Sequence, residues 1–151
     1  MTDVPVEEYL CTRIRQAEQA LMAHHEAVLR GYGLTMIQYT VLLALSRQGG
    51  MSGAQLARSC GVTQQTMASV LTNLAAKNLI HREASAVHAK VQIATLTDQG
   101  GSLLDRAYQE VIVLERALTD TFSPTEHASL CTLLERATTV LVDQTASIRS
   151  R

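Results

Sequence analysis

The sequence predicts a mainly α-helical fold with one small β-hairpin. Long stretches of helical apolar spacing run at both ends of the chain, and a capped short helix with a tight turn lies near the middle. Two short segments rich in β-branched residues follow that turn. With 151 residues, 46% of them apolar and 18% charged, the chain is predicted to form a single domain over residues 1–151.

The N-terminal region predicts a long amphipathic helix over residues 6–30. Neither Gly nor Pro interrupts its helical spacing of apolar residues, which are Leu10, Ile14, Ala17, Leu21 and Val28. Gly31 and Gly33 end this helix, and Thr35 is placed to cap a second one that stops before Gly49.

The centre of the chain predicts two helices joined by a tight turn. Ser52 and Gln55 fit the capping-box pattern, so a short helix is expected from Gly53 to Cys60. Gly61 supplies the turn, and Thr63 is placed to cap the next helix. The inward positions of that helix are Met67, Val70, Leu71 and Leu74. Its outward positions are Gln64, Gln65, Ser69, Thr72 and Asn73. Asn78 is expected to end it in the left-handed conformation.

A hairpin and two long helices complete the chain. Residues 79–82 and 91–96 predict its two strands, with a polar tip over residues 83–90. Thr97 and Asp98 cap a helix whose apolar stripe requires a packing partner. A second capping box, Ser123 to Glu126 with Pro124 at the first helical position, opens the last helix.

This order of elements is typical of a winged helix-turn-helix, in which the second helix of the pair enters the major groove of DNA. The sequence resembles the MarR family of bacterial regulators over nearly its whole length. The segments that carry the resemblance are Gly33–Tyr39, Leu56–Ala57, Val62–Thr63, Leu74–Arg82, Leu96–Gly100 and Ser123–Glu126. The resemblance implies a DNA-binding part at 34–97 with a two- or three-stranded wing. It also implies a dimerisation domain formed by helices at 6–30 and 98–148.

The expected function is sequence-specific binding of a pseudo-palindromic operator by a homodimer, more often as a repressor than as an activator. Residues expected to read or approach bases are Gln64, Gln65, Thr66, Ser69 and Asn73. Residues expected to hold the DNA backbone are Thr63, Lys77, Arg82 and Lys90, with His88 beside Lys90 at the wing tip.

Three features of the sequence depart from the family pattern. Ser69 stands where members often carry arginine, Asn78 replaces a common glycine, and the usual Asp-x-Arg of the wing tip is His88-Ala-Lys90. Because the whole chain has a net charge of −1, any basic surface must be local.

The sequence leaves two alternatives for the signal that switches DNA binding. Cys11 occupies the position of the reactive cysteine in thiol-sensing members, but Arg15 and His25 replace the tyrosines that assist it there. A small aromatic or apolar effector is the other choice, in a pocket formed by Arg15, His24, His25 and Tyr39. An unpaired cysteine is more often a small buried apolar residue, and adjacent histidines make a poor metal pair, so no metal site is predicted.

Other classes of protein are less well supported. The glycine-rich, zinc-protease and nucleophile motifs of enzymes are absent, and no cofactor is expected. The alternative is a winged-helix protein-interaction module that does not bind DNA. Because the sequence has no export signal and no apolar run of about 20 residues, a cytoplasmic protein without membrane contact is expected.

Overall fold

The computed structural model describes residues 9–85 and 91–149, which contain six α-helices and three short strands. The helices are α1 (Leu10–Arg30), α2 (Met36–Gln48), α3 (Gly53–Ser59), α4 (Gln64–Ala76), α5 (Asp98–Thr121) and α6 (Pro124–Arg149). The strands are β1 (Met51–Ser52), β2 (Ile80–Ala84) and β3 (Gln92–Leu96). The predicted fold class, mainly α with a winged helix-turn-helix and a small sheet, is confirmed.

Capping boxes begin three of the helices. Ser52 and Gln55 bond each other's backbone amides at the start of α3, and Ser123 and Glu126 do so at the start of α6, as predicted. Thr35 and Gln38 form a third box at the start of α2. Only the cap at Thr35 was predicted there, although Thr-x-x-Gln fits the same sequence pattern.

Left-handed residues end the helices that flank the turn. Asn78 has a φ of 57°, and the amide of Leu79 bonds the carbonyl of Leu74 at 3.0 Å, which closes α4 as a Schellman motif. Gly61, with a φ of 66°, closes α3 in the same way before the chain enters α4. The prediction of a left-handed Asn78 is therefore confirmed.

The sheet is antiparallel, with the order β1-β3-β2. The three-stranded alternative for the sheet is confirmed, but the position of β1 was not predicted, because its two residues are too few to show a period and the second is also the cap of α3. The predicted tip at 83–90 began too early. Glu83 and Ala84 belong to β2, since they pair with Ile93 and Gln92.

The apolar core lies under the helix-turn-helix. Its largest fully buried side chains are Leu29, Val41, Leu42, Leu45, Leu56, Met67 and Leu74. The described first helix begins at Leu10, because Tyr9 has extended backbone angles, and residues 6–8 of the predicted helix lie outside the described residues. Leu29 of α1 packs in this core, whereas Leu10 near the other end of α1 is exposed.

Contacts divide the chain after Val111, within α5. The described residues up to Val111 form one compact unit, and residues 112–149 belong to a second. The predicted single domain, and its division into a winged part and dimerisation helices, stay predictions. None of the helices in residues 9–85 and 91–149 has both the length and the apolar character that crossing a membrane requires.

The start of α5 is fixed to the end of α4 by a close backbone contact. The Thr97 hydroxyl donates to the carbonyl of Asn78 at 2.8 Å, and the Thr97 amide donates to the carbonyl of Leu79 at 3.2 Å. Gly100 faces the same peptide, and a Cβ atom there would overlap the Leu79 carbonyl oxygen. Only glycine therefore permits this approach.

Candidate DNA-binding surface

Helix α4 is buried on one side and exposed on the other. Met67 and Leu74 have no exposed surface, and Val70 and Leu71 are also buried. The opposite side, called here the recognition face, is exposed and consists of Gln64, Gln65, Thr66, Ser69, Thr72 and Asn73. The arrangement predicted from the sequence is confirmed, and it presents a row of polar side chains on a rigid helix.

Hydrogen bonds link the recognition face along its length. The Thr63 hydroxyl accepts from the amide of Thr66 at 3.1 Å, which caps the helix. Further along, the Ser69 hydroxyl donates to the Gln65 carbonyl at 3.3 Å and the Asn73 side-chain amide donates to the Ser69 carbonyl at 3.0 Å. These bonds occupy donor groups, so the oxygens of Ser69 and Asn73 can still accept bonds from base amino groups.

The two described basic candidates differ in their surroundings. Arg82 lies on β2, opposite Ala94 of β3, and is exposed. Lys77 lies just beyond α4, where its ammonium donates to the Gly33 carbonyl at 2.6 Å and to Oε1 of Gln38 at 3.3 Å. His88 and Lys90 of the predicted wing tip lie outside the described residues.

Arg58 is a basic residue that the sequence interpretation did not select. It lies in the last turn of α3 and is exposed, directly before the turn that leads into α4. The first helix of a helix-turn-helix crosses the DNA backbone, so its terminal arginine is placed to contact phosphate. The signal was present in the sequence as the only charged residue of α3.

The predicted pocket residues fall into separate environments. His24 and His25 of α1 are half-buried neighbours with ring centroids 6.1 Å apart. Nε2 of His24 and Nδ1 of His25 are buried, and neither has a hydrogen-bond partner among the described residues. Burial lowers the pKa of His25 below its usual value, and the neighbouring charge of His24 lowers it further.

Tyr39 and Arg15 complete the predicted pocket set. Tyr39 is buried in α2, and burial raises the pKa of its phenol, with Tyr108 adding to the effect and Arg47 opposing it. Arg15 is exposed on α1. The structure therefore pairs the two histidines with each other, while Tyr39 has Tyr108 and Arg47 as its electrostatic neighbours.

The three cysteines are free thiols in different settings. Cys11, the candidate redox sensor, is exposed near the start of α1. Cys60 is partly buried and packs against the core at the end of α3. Cys131 is exposed on α6, with its sulfur 3.9 Å from Nδ1 of His127. Within the part of the chain that the structure describes, no group of three or more His, Cys, Asp or Glu is placed to hold a metal ion.

Comparison with known proteins identifies the family. A model described as MarR family matches residues 32–90. The HTH-type transcriptional repressor NicR of Pseudomonas putida is 30% identical over 104 residues, which are 69% of this chain and 66% of that protein. The chain belongs to the MarR family. The repressor Rv2887 of Mycobacterium tuberculosis is 40% identical over 81 residues, which are 54% of this chain and 58% of its own length. This chain therefore aligns with less than two thirds of the length of Rv2887.

Solved structures agree with this assignment at the level of the fold. The transcriptional repressor CouR, determined bound to a 23-mer DNA duplex, superposes with a TM-score of 0.77 at 23% identity. The superposition covers 88% of this chain and 94% of CouR. Proteins of the MarR family are transcription regulators, and the expectation that the chain is not an enzyme agrees with its membership.

Proposed function

We propose that the chain is a DNA-binding transcription regulator, acting as a repressor on a pseudo-palindromic operator. The observation that carries this proposal is the recognition face of α4, an exposed row of uncharged polar side chains over a buried apolar base. Such a helix matches the element that helix-turn-helix proteins insert into the major groove. The names of NicR and Rv2887, and the DNA-bound state of CouR, support the same function.

The distribution of charge supports DNA as the partner. Residues 34–97 contain five Lys or Arg and one Asp or Glu, whereas the rest of the chain contains eight basic and thirteen acidic residues. The net charge of −1 therefore conceals a basic winged part and acidic flanking helices. Because duplex binding depends on neutralising phosphates, the winged part is the segment suited to it.

Each candidate residue has a proposed role. Base edges are approached by Gln64, Gln65, Thr66, Ser69 and Asn73 of the recognition face, where glutamine and asparagine amides pair well with adenine. The backbone is held by Thr63 and Arg82, with Arg58 added from the structure. His88 and Lys90 belong to the same proposal as wing-tip contacts.

A regulator of this kind works where the chromosome is, which in a bacterium is the cytoplasm.

We propose a homodimer because α6 carries an apolar stripe that the described residues of its own unit, 112–149, leave uncovered. None of the residues in Pro124–Arg149 is buried. The stripe follows helical spacing of three and four and consists of Leu130, Leu133, Leu134, Ala137, Val140 and Leu141. The opposite side of α6 is polar and includes Thr132, Glu135, Thr139 and Asp143. A second copy of the chain, related by a two-fold axis, would cover the stripe and set the spacing of two recognition helices.

We propose further that an effector releases the operator by favouring another spacing of the two α4 helices. A small aromatic or apolar ligand is supported by the buried, unpartnered nitrogens of His24 and His25, which a ligand hydroxyl or carboxylate could satisfy. Thiol oxidation is the second candidate, supported by the exposure of Cys11. Operator release by peroxide that is identical in Cys11→Ser would exclude the thiol.

The proposed function is tested by fluorescence polarisation with labelled duplexes from upstream of the gene, over a series of salt concentrations. We expect tight, salt-dependent binding to one duplex. Arg82→Ala should weaken it and reduce the slope of log Kd against log salt by about 1.8, because each phosphate contact contributes about 0.9 and the proposed dimer loses one in each protomer. Arg136→Ala, which removes an exposed arginine of α6, is the matched control and should leave both quantities unchanged.

The competing function is that of a winged-helix module that binds protein. It predicts that the chain has no affinity for any duplex, even at low salt, where phosphate contacts are strongest. Binding to the upstream duplex with a normal salt slope would exclude it. Absence of binding to every duplex would overturn the DNA-binding proposal.

A further inference from the structure

Lys77 makes two hydrogen bonds to a distant part of the chain. Its ammonium donates to the carbonyl of Gly33, 44 residues earlier, and to Oε1 of Gln38, 39 residues earlier. Gly33 lies in the connection between α1 and α2, and Gln38 lies in the first turn of α2, whereas Lys77 follows directly after α4. An ammonium group has three protons, so this arrangement uses two of them.

The acceptors of Lys77 are themselves held in place. Gln38 is only 7% exposed, and its Oε1 also accepts from the amide of Thr35 at 3.1 Å, as part of the capping box of α2. Gly33 has a φ of 63°, and the amide of Leu34 donates to the carbonyl of Leu29 at 3.1 Å. The carbonyl of Gly33, which accepts from Lys77, therefore belongs to a fixed turn. Lys77 therefore attaches the end of α4 to a rigid junction.

The same end of α4 is also attached to α5. The carbonyls of Asn78 and Leu79 accept from Thr97, and the Asn78 side-chain amide donates to Oε1 of Gln99 at 3.1 Å. Residues 77–79 thus join the α1–α2 connection to the start of α5. Gln64 and Gln65, at the opposite end of α4, are exposed. The direction of the recognition face is consequently fixed from its C-terminal end.

We infer that Lys77 is a positioning residue for DNA binding, which holds α4 at its angle to the α1–α2 connection, and that it does not act as a phosphate contact. The inference rests on the proposed function. It assigns to Lys77 a role different from the one suggested by its charge. A positioning residue affects how well base edges are matched, whereas a phosphate contact affects all duplexes alike and changes the salt dependence.

The test measures operator and random-sequence duplex binding by the full-length Lys77→Met variant over a series of salt concentrations. Methionine keeps an unbranched side chain and removes the ammonium. We expect operator affinity to fall about tenfold or more, with the salt slope unchanged and the affinity for random duplex nearly constant. A slope reduced by about 1.8, the value for one lost phosphate contact in each protomer of the dimer, with equal losses on both duplexes, would show a phosphate contact and overturn the inference.

A double-mutant cycle adds a readout that general destabilisation does not change. Gln38→Met removes the side-chain acceptor, so its effect on operator affinity should be non-additive with that of Lys77→Met. Additive effects would contradict the inference. Arg82→Ala, which is proposed to act on phosphate, supplies the additive control when combined with Gln38→Met. If the wild-type chain bound no duplex, the proposed function and this inference would both fall, whereas wild-type binding with a changed slope in Lys77→Met would overturn the inference alone.

Discussion

Helices α4 and α6 have similar apolar spacing, but of the two only α4 has its apolar side buried within its own compact unit, as far as the described residues go. Met67 and Leu74 of α4 have no exposed surface, whereas Leu133 and Leu141 of α6 are 56% and 48% exposed. The stripe of α6 is too continuous to be explained as scattered surface apolar residues. The comparison teaches that sequence periodicity identifies a helix and its apolar side. Periodicity does not identify what packs against that side. For α4 the partner is the core of the winged part, and for α6 we propose a second chain.

The largest expected effect comes from placing a charge in the α6 stripe. Leu134→Glu should weaken the dimer, because each buried leucine contributes about 1.5–3 kcal/mol and a two-fold interface contains it twice. The loss of about 3–6 kcal/mol corresponds to a rise of about 10²–10⁴ in the dimer dissociation constant. Sedimentation velocity over a concentration series measures this constant directly.

The matched control for Leu134→Glu is Thr139→Glu. Thr139 is exposed on the polar side of the same helix, where its hydroxyl bonds the Glu135 carbonyl at 3.1 Å. It introduces the same charge without touching the stripe, so the dimer constant should remain within about threefold of the original, roughly 0.6 kcal/mol. Equal weakening by both variants would show that the stripe is not the interface.

The next effect tests how tightly the winged part is packed at the start of α5. Gly100→Ala places a methyl group against the Leu79 carbonyl oxygen, which is held by its bond from Thr97 and cannot move aside. We expect a loss of about 3 kcal/mol or more in the free energy of unfolding, at the upper end of the range for overpacking. Urea denaturation followed by circular dichroism measures it.

Gly101→Ala is the control for that substitution and differs by one position. A Cβ atom at residue 101 meets nothing within 4 Å, and alanine favours helix over glycine by up to about 1 kcal/mol. This variant should therefore be as stable as the wild type or slightly more stable. Equal destabilisation by the two substitutions would contradict the close contact at Leu79.

Local signals in the sequence were sufficient for much of the fold. Ser52, Thr63 and Ser123 cap helices as their residue types predict, and Asn78 adopts the left-handed conformation. The exposed side of α4 follows from a 3.6-residue period. These features depend on neighbours within four or five residues, which is why the sequence alone reveals them.

Features that depend on distant residues could not be predicted. Strand β1 exists because Met51 pairs with Ala94, and two residues show no periodicity of their own. The contacts of Lys77 join residues about 40 positions apart, and its charge alone favoured a phosphate contact. The influence of Tyr108 on the pKa of Tyr39 likewise requires the tertiary fold, because the two residues lie 69 positions apart.

A smaller effect on the free energy of unfolding is expected at a helix cap, Ser52, than at Gly100, and Ser46 inside α2 serves for comparison. Ser52→Ala removes the oxygen that accepts from the Gln55 amide at 3.3 Å and should cost about 1 kcal/mol of stability. Ser46→Ala is the control, because the Ser46 hydroxyl bonds the Leu43 carbonyl inside α2 and alanine is the better helix former. Chemical denaturation should find Ser46→Ala neutral or slightly stabilising. A loss as large as that of Ser52→Ala would contradict the role of the cap.

The smallest expected effect lies at the exposed start of α6. Bonds from the Ser123 hydroxyl at 2.7 Å and the Ser123 amide at 2.9 Å lower the pKa of the Glu126 carboxyl below its ordinary value. Because the folded pKa is the lower one, this cap stabilises the helix fully above the ordinary pKa of an unfolded glutamate and is lost as pH falls through the folded value. Ser123→Ala removes the hydroxyl bond and should raise the pKa of Glu126, measured by NMR titration of its side-chain carboxyl carbon. Thr132→Ala, whose hydroxyl bonds only the Ala128 carbonyl, should leave that titration unchanged, and an equal shift in both variants would contradict the capping box as its cause.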